Sequence, residues 1–389
     1  MESTTVNSAT AEELEEHFPI FGKLQSYEHE QIVVCSDPET GLKAIIAIHD
    51  TTLGPSLGGT RMWPYNNEEE ALRDVLRLSR GMTYKAAISG LNLGGGKAVI
   101  IGDPRTDKNE ELFRAFGRYV DTLGGRYITA EDVGIDVQDM EWVNMETKYV
   151  TGIPKSIGGS GDPSPVTAYG VYMGMKACAN KAYGSDSLEG KRIAVQGAGH
   201  VSSYLVEFLA KENAEIFISD IYEDKVADLA EKVGATVVDP DGIYGLDVDI
   251  FSPCALGGVV NDDTMDTFNC DIIAGGANNV LDEEDKHGQM LMDRDIIYAP
   301  DYVINAGGLI NVASELEGYN EQRAHDKASR IYQVILDILN YSEENDMPTY
   351  VASNILAEKR IEKVGRIHRV YSSKSSFSGH IGDMYRAKG

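Results

Sequence analysis

The chain has 389 residues, of which 35 are Lys or Arg and 62 are Asp or Glu, giving a net charge of −27. That length exceeds the usual size of one core, so two domains are expected, and 42% hydrophobic residues suffice to fill them. The acid excess repels nucleic acid and anionic membrane, and no apolar run reaches the roughly eighteen residues a membrane span needs, so neither is an expected partner.

The N-terminal stretch MESTTVNSATAEELEEHF is acidic and lacks the basic and apolar parts of a signal peptide, so a cytoplasmic protein is expected. Cys35, Cys178, Cys254 and Cys270 are widely spaced, with no C-x-x-C pair and no partnering His cluster. Reduced thiols and no metal site are expected. The acidic runs EELEEH, NNEEEA and LDEEDK read as solvated faces and helix starts. Such an excess also suits a salty cytoplasm, where screening weakens self-repulsion.

From about residue 15 to 150, apolar strand-like segments alternate with helical ones. QIVVCSD and GLKAIIAIHD, joined by the turn-rich PETG, read as a hairpin. NNEEEALRDVLRLSRGMTYKAA reads as a helix with Asn67 as cap and glutamates in its first turn. Ala71, Val75, Leu78, Met82 and Lys85 share one of its faces, which puts a lysine at the next core-facing position. A lysine snorkelling from the helix end fits the same spacing.

GLNLGGGKAVI then sets Lys97 after three glycines and before an apolar run. The glycines leave room for something to approach the backbone closely, and Ala98–Ile101 reads as a buried strand. Lys97 is expected at the junction of a flexible turn and a core element. Partial desolvation there favours the neutral amine, the form that acts as a base. A surface turn with an incidental lysine fits this stretch as well. Two lysines in unusual settings, Lys85 and Lys97, strengthen the reading of an anion site beside a basic amine.

Beyond residue 160, strand and helix alternate strictly. SPVTAYGVYMGMKACANKAYG reads as a helix with Ser164 as cap, Pro165 at its first position and Gly184 as its stop. In KRIAVQGAGHVSSYLVEFLAKENAEIFISD, a strand, a glycine turn, a helix and a second strand follow one another. Gly197-Ala198-Gly199-His200-Val201-Ser202 gives G-x-G-x-x-S, with Asp220 lying 23 residues after the first glycine. That is the context of a dinucleotide fingerprint: pyrophosphate at the helix N-terminus and Asp220 on the adenosine ribose. Ser202 takes a position usually held by Gly or Ala, and is small enough for close packing. ATVVD, DVDIFSPCA, CDIIAGGAN and IIYAPDYVINAGG continue the alternation. They end in small or amide residues (Ala255, Gly275 to Asn279, Asn305 to Gly308) suited to a flat nicotinamide ring. The final helices, from ASRIYQVILDILNYS onward, are long enough to pack against the first half. The first dozen residues and the Ser-rich YSSKSSFSG are the only stretches that read as disordered or linker-like.

The sequence resembles the glutamate/leucine/phenylalanine/valine dehydrogenase family, and within it the branch acting on leucine, from about residue 20 to 360. The similarity rests on GLKAIIAIHDTTLGPSLGGTRMW, GMTYK, GLNLGGGKAVIIGDPR, GRYITAEDVG, SPVTAYGVY and APDYVINAGG. The resemblance implies an α/β protein with an N-terminal catalytic and oligomerisation domain (1–150 with 350–389) and a Rossmann-type NAD-binding domain (151–349). It implies Lys97 as catalytic lysine, Lys85 as partner of the substrate α-carboxylate, and Asp132 as the acid exchanging a proton with the amino group. Thr167, Asn278 and Asn305 are implied at the nicotinamide end of NAD. Gly197, Gly199, His200, Val201 and Asp220 are implied at the adenosine end.

The implied reaction is reversible oxidative deamination of branched-chain L-amino acids by a homo-oligomer, often an octamer. Hydride leaves the α-carbon, neutral Lys97 activates the water that attacks the iminium, and Asp132 shuttles the proton that lets ammonia leave. Two cationic lysines in one cleft repel each other, lowering the pKa of the more buried one. Leu57, Gly58, Ala130, Leu309 and Val312 are implied as a branched-aliphatic pocket. Glutamate-specific relatives carry lysine and serine at the positions of Leu57 and Val312, so a γ-carboxylate is left here without a partner. Leu309 stands where the leucine branch usually has valine and matches the phenylalanine branch. A nucleotide-binding regulator need not keep Lys85, Lys97 and Asp132 together, and a 2-hydroxy acid dehydrogenase normally employs a His–acid pair and an arginine clamp.

Overall fold

In the computed structural model, which describes residues 20–367, helix α1 (Ile20–Ser26) leads into strands β1 (Gln31–Asp37) and β2 (Leu42–Asp50). The strands form the expected hairpin, paired antiparallel from Gln31↔Ile48 to Asp37↔Leu42, with Gly41 at φ 77° in the return. There follow β3 (Ser56–Trp63), α2 (Glu68–Ile88), β4 (Gly94–Ile101), α3 (Glu110–Thr122), β5 (Tyr127–Glu131) and α4 (Val137–Asn144). The sheet order is β1-β2-β4-β3-β5, with β4 antiparallel to β2 and β3 parallel to both β4 and β5. Asn67 caps α2 as expected, its Oδ1 accepting the Glu70 N–H at 2.8 Å.

A second sheet begins after α5 (Ser164–Tyr183). Its elements are β6 (Arg192–Gln196), α6 (His200–Lys211), β7 (Glu215–Ser219), α7 (Glu223–Val233), β8 (Thr236–Val237), β9 (Ile250–Pro253), β10 (Ile272–Ile273), α8 (Glu284–Asp293) and β11 (Ile297–Tyr298). All pairings are parallel and the order is β11-β10-β9-β6-β7-β8. Read from the other edge, this is the third-second-first-fourth-fifth-sixth order of a doubly wound dinucleotide fold. Helices α9 (Asp301–Ile304), α10 (Gly307–Ala313), α11 (Glu321–Ala328), α12 (Ile331–Asn345) and α13 (Thr349–Ile367) close the described chain. Among the described residues no helix is long and apolar enough to cross a membrane. Gly184 ends α5 in the left-handed region at φ 72° as expected, but Ser164 is not its cap. Ser164 is already helical, and its N–H is satisfied by Asp162 Oδ1 at 2.9 Å.

The chain divides into two compact units. One comprises the residues up to Thr51, Pro55–Thr83 and Gly94–Tyr149; the other comprises Thr52–Gly54, Tyr84–Leu93 and the chain from Val150 onward. Helix α13 falls in the second unit, and so do the segments of the first 150 residues that it packs against. Ala357 of α13 is buried with Leu53 and Ala87, and Tyr84, Ile88, Ile361 and Val364 pack around them. The N-terminal dozen and YSSKSSFSG lie outside the described residues.

The glycine triplet is not a turn. Gly94, Gly95 and Gly96 are the first residues of β4 and are buried in the sheet. A Cβ on Gly95 would lie 2.1 Å from the Thr83 nitrogen and 2.6 Å from the Ser79 carbonyl oxygen, so the backbone of α2 occupies that space. On Gly96 a Cβ would meet the Tyr127 ring at 2.7 Å. The close approach also corrects the expected helix face. Ala71 and Val75 are buried, but the stripe continues through Ser79 and Thr83, leaving Leu78, Met82 and Lys85 half-buried.

Ser79 and Thr83 each meet a histidine. His29 Nε2 lies 2.7 Å from Ser79 Oγ, His49 Nδ1 lies 2.8 Å from Thr83 Oγ1, and the two rings meet edge to face at 4.8 Å. Burial lowers His29 from 6.5 to about 4. Burial, then the neighbouring His29 and Arg80 charges, lowers His49 from 6.5 to about 3. Both rings are therefore neutral in the folded chain and gain protons on unfolding. Their contribution to stability is full above pH 6.5 and is lost as pH falls toward about 3. The urea midpoint of the wild type should drop between about pH 7 and about pH 5, and that of His49→Gln should drop less. Parallel profiles would contradict this origin of acid sensitivity.

Candidate active site

Three strands of the first unit bring Lys97 and Asp132 together. Gly95 pairs with Leu57, and Leu57 with Ile128, so Lys97 and Ala130, two residues further along their strands, share the sheet face of Leu57. Asp132 lies just beyond β5. Gly59 makes room for it, because a Cβ there would sit 2.9 Å from the Asp132 Cβ and 2.4 Å from the Glu131 carbonyl oxygen. Gly58 is needed for strand contact, since its Cβ would lie 1.7 Å from the Gly96 carbonyl oxygen.

Lys97 is 5% exposed, and its Nζ lies 2.9 Å from Asp132 Oδ2. The desolvation expected at this lysine is present, but the amine is not alone: an acid supplies its counter-charge. Burial alone would raise the Asp132 carboxyl. The Lys97 and Arg61 cations outweigh burial and hold it at about 2.

Arg61 was missed in the sequence. Its Nε donates to Asp132 Oδ2 at 3.0 Å and its Nη1 to Asp74 Oδ2 at 3.0 Å, while the Tyr65 hydroxyl donates to the same Asp74 oxygen at 2.7 Å. Burial works against the guanidinium charge, and Asp132 and Asp74 more than offset it, so the Arg61 pKa is raised. Arg61 pairs with Val99, two residues after Lys97, so it lies on the Lys97 face of the sheet.

The second unit gathers the other expected groups. Lys85 Nζ donates to Asn305 Oδ1 at 2.6 Å, and Asn305 Nδ2 donates to Asn278 Oδ1 at 2.7 Å and to the Gly276 carbonyl at 3.2 Å. Asn305 lies between α9 and α10 rather than at a strand end. Asp301, whose carboxyl is pushed up by burial, accepts the Val280 N–H at 2.8 Å and fixes the loop carrying Asn278. Thr167 donates to the Pro163 carbonyl at 2.9 Å. A Cβ on Gly308 would lie 2.9 Å from Thr167 Oγ1, and one on Gly307 would lie 2.2 Å from the Val166 carbonyl oxygen, so α10 abuts the start of α5. Leu309 and Val312, buried on α10, are three residues apart and share a face.

The glycine turn has the features a dinucleotide requires. Gly197 at φ 105° needs glycine, and a Cβ on Gly199 would meet nothing within 4 Å, so that side of the backbone is open. Helix α6 begins at His200 with no side-chain cap, leaving its first N–H groups, including that of Val201, available to an anion. His200 is exposed, and Ser202 is fully buried, as close packing at that position requires. Asp220 follows β7 and accepts the Ala198 N–H at 2.6 Å, which fixes its carboxylate beside the turn. These residues fit a bound nicotinamide dinucleotide. A group of Asp262, Glu283 and His287 at α8 is closed by its own bonds: His287 Nδ1 accepts the Glu283 N–H at 2.9 Å, and Lys286 pairs with Asp262 at 2.5 Å.

Comparison with known proteins agrees with both units. Residues 29–149 match the Glu/Leu/Phe/Val dehydrogenase dimerisation domain, and residues 158–223 and 219–368 match the glutamate/leucine/phenylalanine/valine dehydrogenase model. The chain is 58% identical to the leucine dehydrogenase of Geobacillus stearothermophilus, over 88% of this chain and 93% of that one. It is 48% identical to the phenylalanine dehydrogenase of Bacillus thermotolerans, over 92% and 94% of the two chains. The crystal structure of L-tryptophan dehydrogenase from Nostoc punctiforme superposes with a TM-score of 0.80 at 47% identity, covering 89% of this chain and 99% of that one. The chain belongs to the Glu/Leu/Phe/Val dehydrogenase family of amino-acid oxidoreductases, whose reaction calls for a nicotinamide cofactor.

Proposed function

We propose that the chain is an NAD-dependent leucine dehydrogenase. It would convert L-leucine, NAD⁺ and water to 4-methyl-2-oxopentanoate, ammonium, NADH and a proton, reversibly. The observation that carries the chemistry is the ion pair of buried Lys97 with half-buried Asp132 on the glycine-bared sheet. The 58% identity to a leucine dehydrogenase supports the substrate. The first unit is read as the substrate-binding and oligomerisation part, the second as the NAD-binding part. A cytoplasmic homo-oligomer, an octamer by family resemblance, is part of this proposal.

Bound NAD would accept the hydride from the substrate α-carbon. Lys85 binds the substrate α-carboxylate in place of the amide oxygen it now contacts. Asp132, ionised at neutral pH, accepts a proton from the substrate nitrogen and later returns it to the departing ammonia. Lys97 in its neutral form takes a proton from the water that attacks the iminium carbon. Thr167, Asn278 and Asn305 are read as holding the nicotinamide end. Gly197, Gly199, His200 and Val201 are read as holding the pyrophosphate, and Asp220 the ribose.

Leu57, Gly58, Ala130, Leu309 and Val312 are read as facing the substrate side chain. The phenylalanine-acting reading is favoured by one residue, Leu309. The direct test is whether NADH consumption with 4-methyl-2-oxopentanoate requires ammonium. Absence of that requirement would sink the proposal and point to a 2-hydroxy acid enzyme.

Lys97→Ala should lower turnover by about two to four orders of magnitude while leaving NADH affinity nearly intact. Steady-state rates and NADH fluorescence titration measure the two separately, and near-normal turnover would remove Lys97 from its role.

Asp220 should enforce preference for NAD over NADP, because a 2′-phosphate beside its carboxylate meets like charge and the following Ile221, Tyr222 and Glu223 offer no cation. Asp220→Ser should narrow the ratio of the two kcat/KM values. Equal efficiency of the wild type with both cofactors would contradict the assignment.

Leucine, valine and isoleucine should run well ahead of phenylalanine, with glutamate inactive. A γ-carboxylate against Leu57 and Val312 is buried without a partner, whereas a methylene misfit changes transition-state binding by only about 1–3 kcal/mol. Ala130→Gly should raise phenylalanine turnover relative to leucine. Steady-state kinetics with the five amino acids decide this: efficient glutamate turnover would refute the apolar pocket.

A further inference from the structure

Two cations share one oxygen of Asp132. Lys97 and Arg61 both approach Oδ2, at 2.9 and 3.0 Å. Arg61 is itself clamped from behind. Its Nη1 is bonded to Asp74 on α2, and the Asp74 carboxylate is held in turn by the Tyr65 hydroxyl and by Arg77 at 3.1 Å. A guanidinium bonded along two of its edges has one orientation, which a flexible ammonium lacks. Gly59 keeps the strand bare beside Asp132, so the position of this carboxylate is set by its cations rather than by packing against a neighbouring Cβ.

We propose that Arg61, anchored by Asp74, is a positioning residue for Asp132. It occupies Oδ2 throughout the reaction and thereby reserves Oδ1 as the atom that exchanges a proton with the substrate nitrogen. The inference rests on the reading of Asp132 as the proton-exchanging acid. Lys97 cannot hold Oδ2 throughout, because as the base it must pass through the neutral amine, which attracts a carboxylate weakly. Arg61 keeps its charge at every pH the enzyme meets. While Lys97 is neutral, Arg61 is the cation that remains on the carboxylate. Without it the carboxylate would have no charged partner to fix its rotation while Lys97 is neutral.

The charged and titratable groups facing Asp132 are Lys97 from β4, Arg61 from β3 and Tyr127 from β5, with Asp74 from α2 and Tyr65 one bond further out. Arg61→Met, Arg61→Lys and Asp74→Asn separate positioning from folding. In Arg61→Met, kcat should fall about 10–100-fold while KM for leucine and for NAD stays within about threefold, and the acidic limb of the kcat profile should move up by about 1–3 pH units. Arg61→Lys restores the charge but cannot bridge Asp74 and Asp132, so it should recover the pH profile and only part of kcat. Asp74→Asn leaves both Arg61 and Asp132 in place and should show a smaller loss of kcat, and it decides the matter alone where Arg61→Met does not fold.

A second readout does not depend on turnover. Infrared difference spectra against Asp132→Asn follow the protonated carboxyl band of Asp132, whose onset should rise by about 1–3 pH units in Arg61→Met. If the wild type turns over no amino acid, the functional reading fails and the infrared titration still decides the role of Arg61. An unmoved onset would overturn the proposal. So would kcat within about twofold of wild type in both Arg61→Met and Asp74→Asn.

Discussion

The absence of side chains on β3 and β4 is the constraint on which the rest of the first unit depends. Helix α2 lies against Gly95 at a distance no Cβ allows, and Asp132 lies against Gly59 in the same way. A strand of ordinary β-formers would push both away. The cost is a sheet weakened at its centre, since glycine loses most on being ordered and packs nothing. Ser79 and Thr83, buried by the same approach, require partners, and His29 and His49 provide them as neutral rings. The close approach of α2 to the strand thus appears as an acid-sensitive histidine pair elsewhere in the same unit.

An ion pair buried on such a sheet is weak evidence for stability, because desolvating two charges consumes most of their attraction. On the proposed reading its value is chemical. Asp132 carries two cations, so its proton affinity depends on both of them. Lys97, Arg61 and Asp132 meet at one oxygen, and Asp74 and Tyr65 hold Arg61 from behind.

Features encoded locally were legible in the sequence. The hairpin around Gly41, the Asn67 cap, the Gly184 stop and the strand–turn–helix around Gly197 each depend on residues within a few positions of one another. Lys97 and Asp132 were legible as candidates because both stand in sharply marked motifs. Features that depend on distant segments were not. Gly94–Gly96 read as a turn because nothing nearby reveals that Ser79 and Thr83 fill the space over Gly95. Arg61 was passed over because its partners lie 13 and 71 positions away and meet it only through strand register. Ser164 is not the cap of α5 because its own N–H, bonded to Asp162 Oδ1, already lies inside the helix.

The central claim is that the buried Asp132–Lys97 pair is the reacting centre rather than a structural ion pair. Stopped-flow mixing of Asp132→Asn with NAD and leucine, following NADH formation in the first turnover, tests it most directly. The account predicts a first turnover slowed by about two orders of magnitude or more, with NADH affinity unchanged, because the asparagine keeps the shape but cannot take a proton. A first turnover within about threefold of wild type would contradict it.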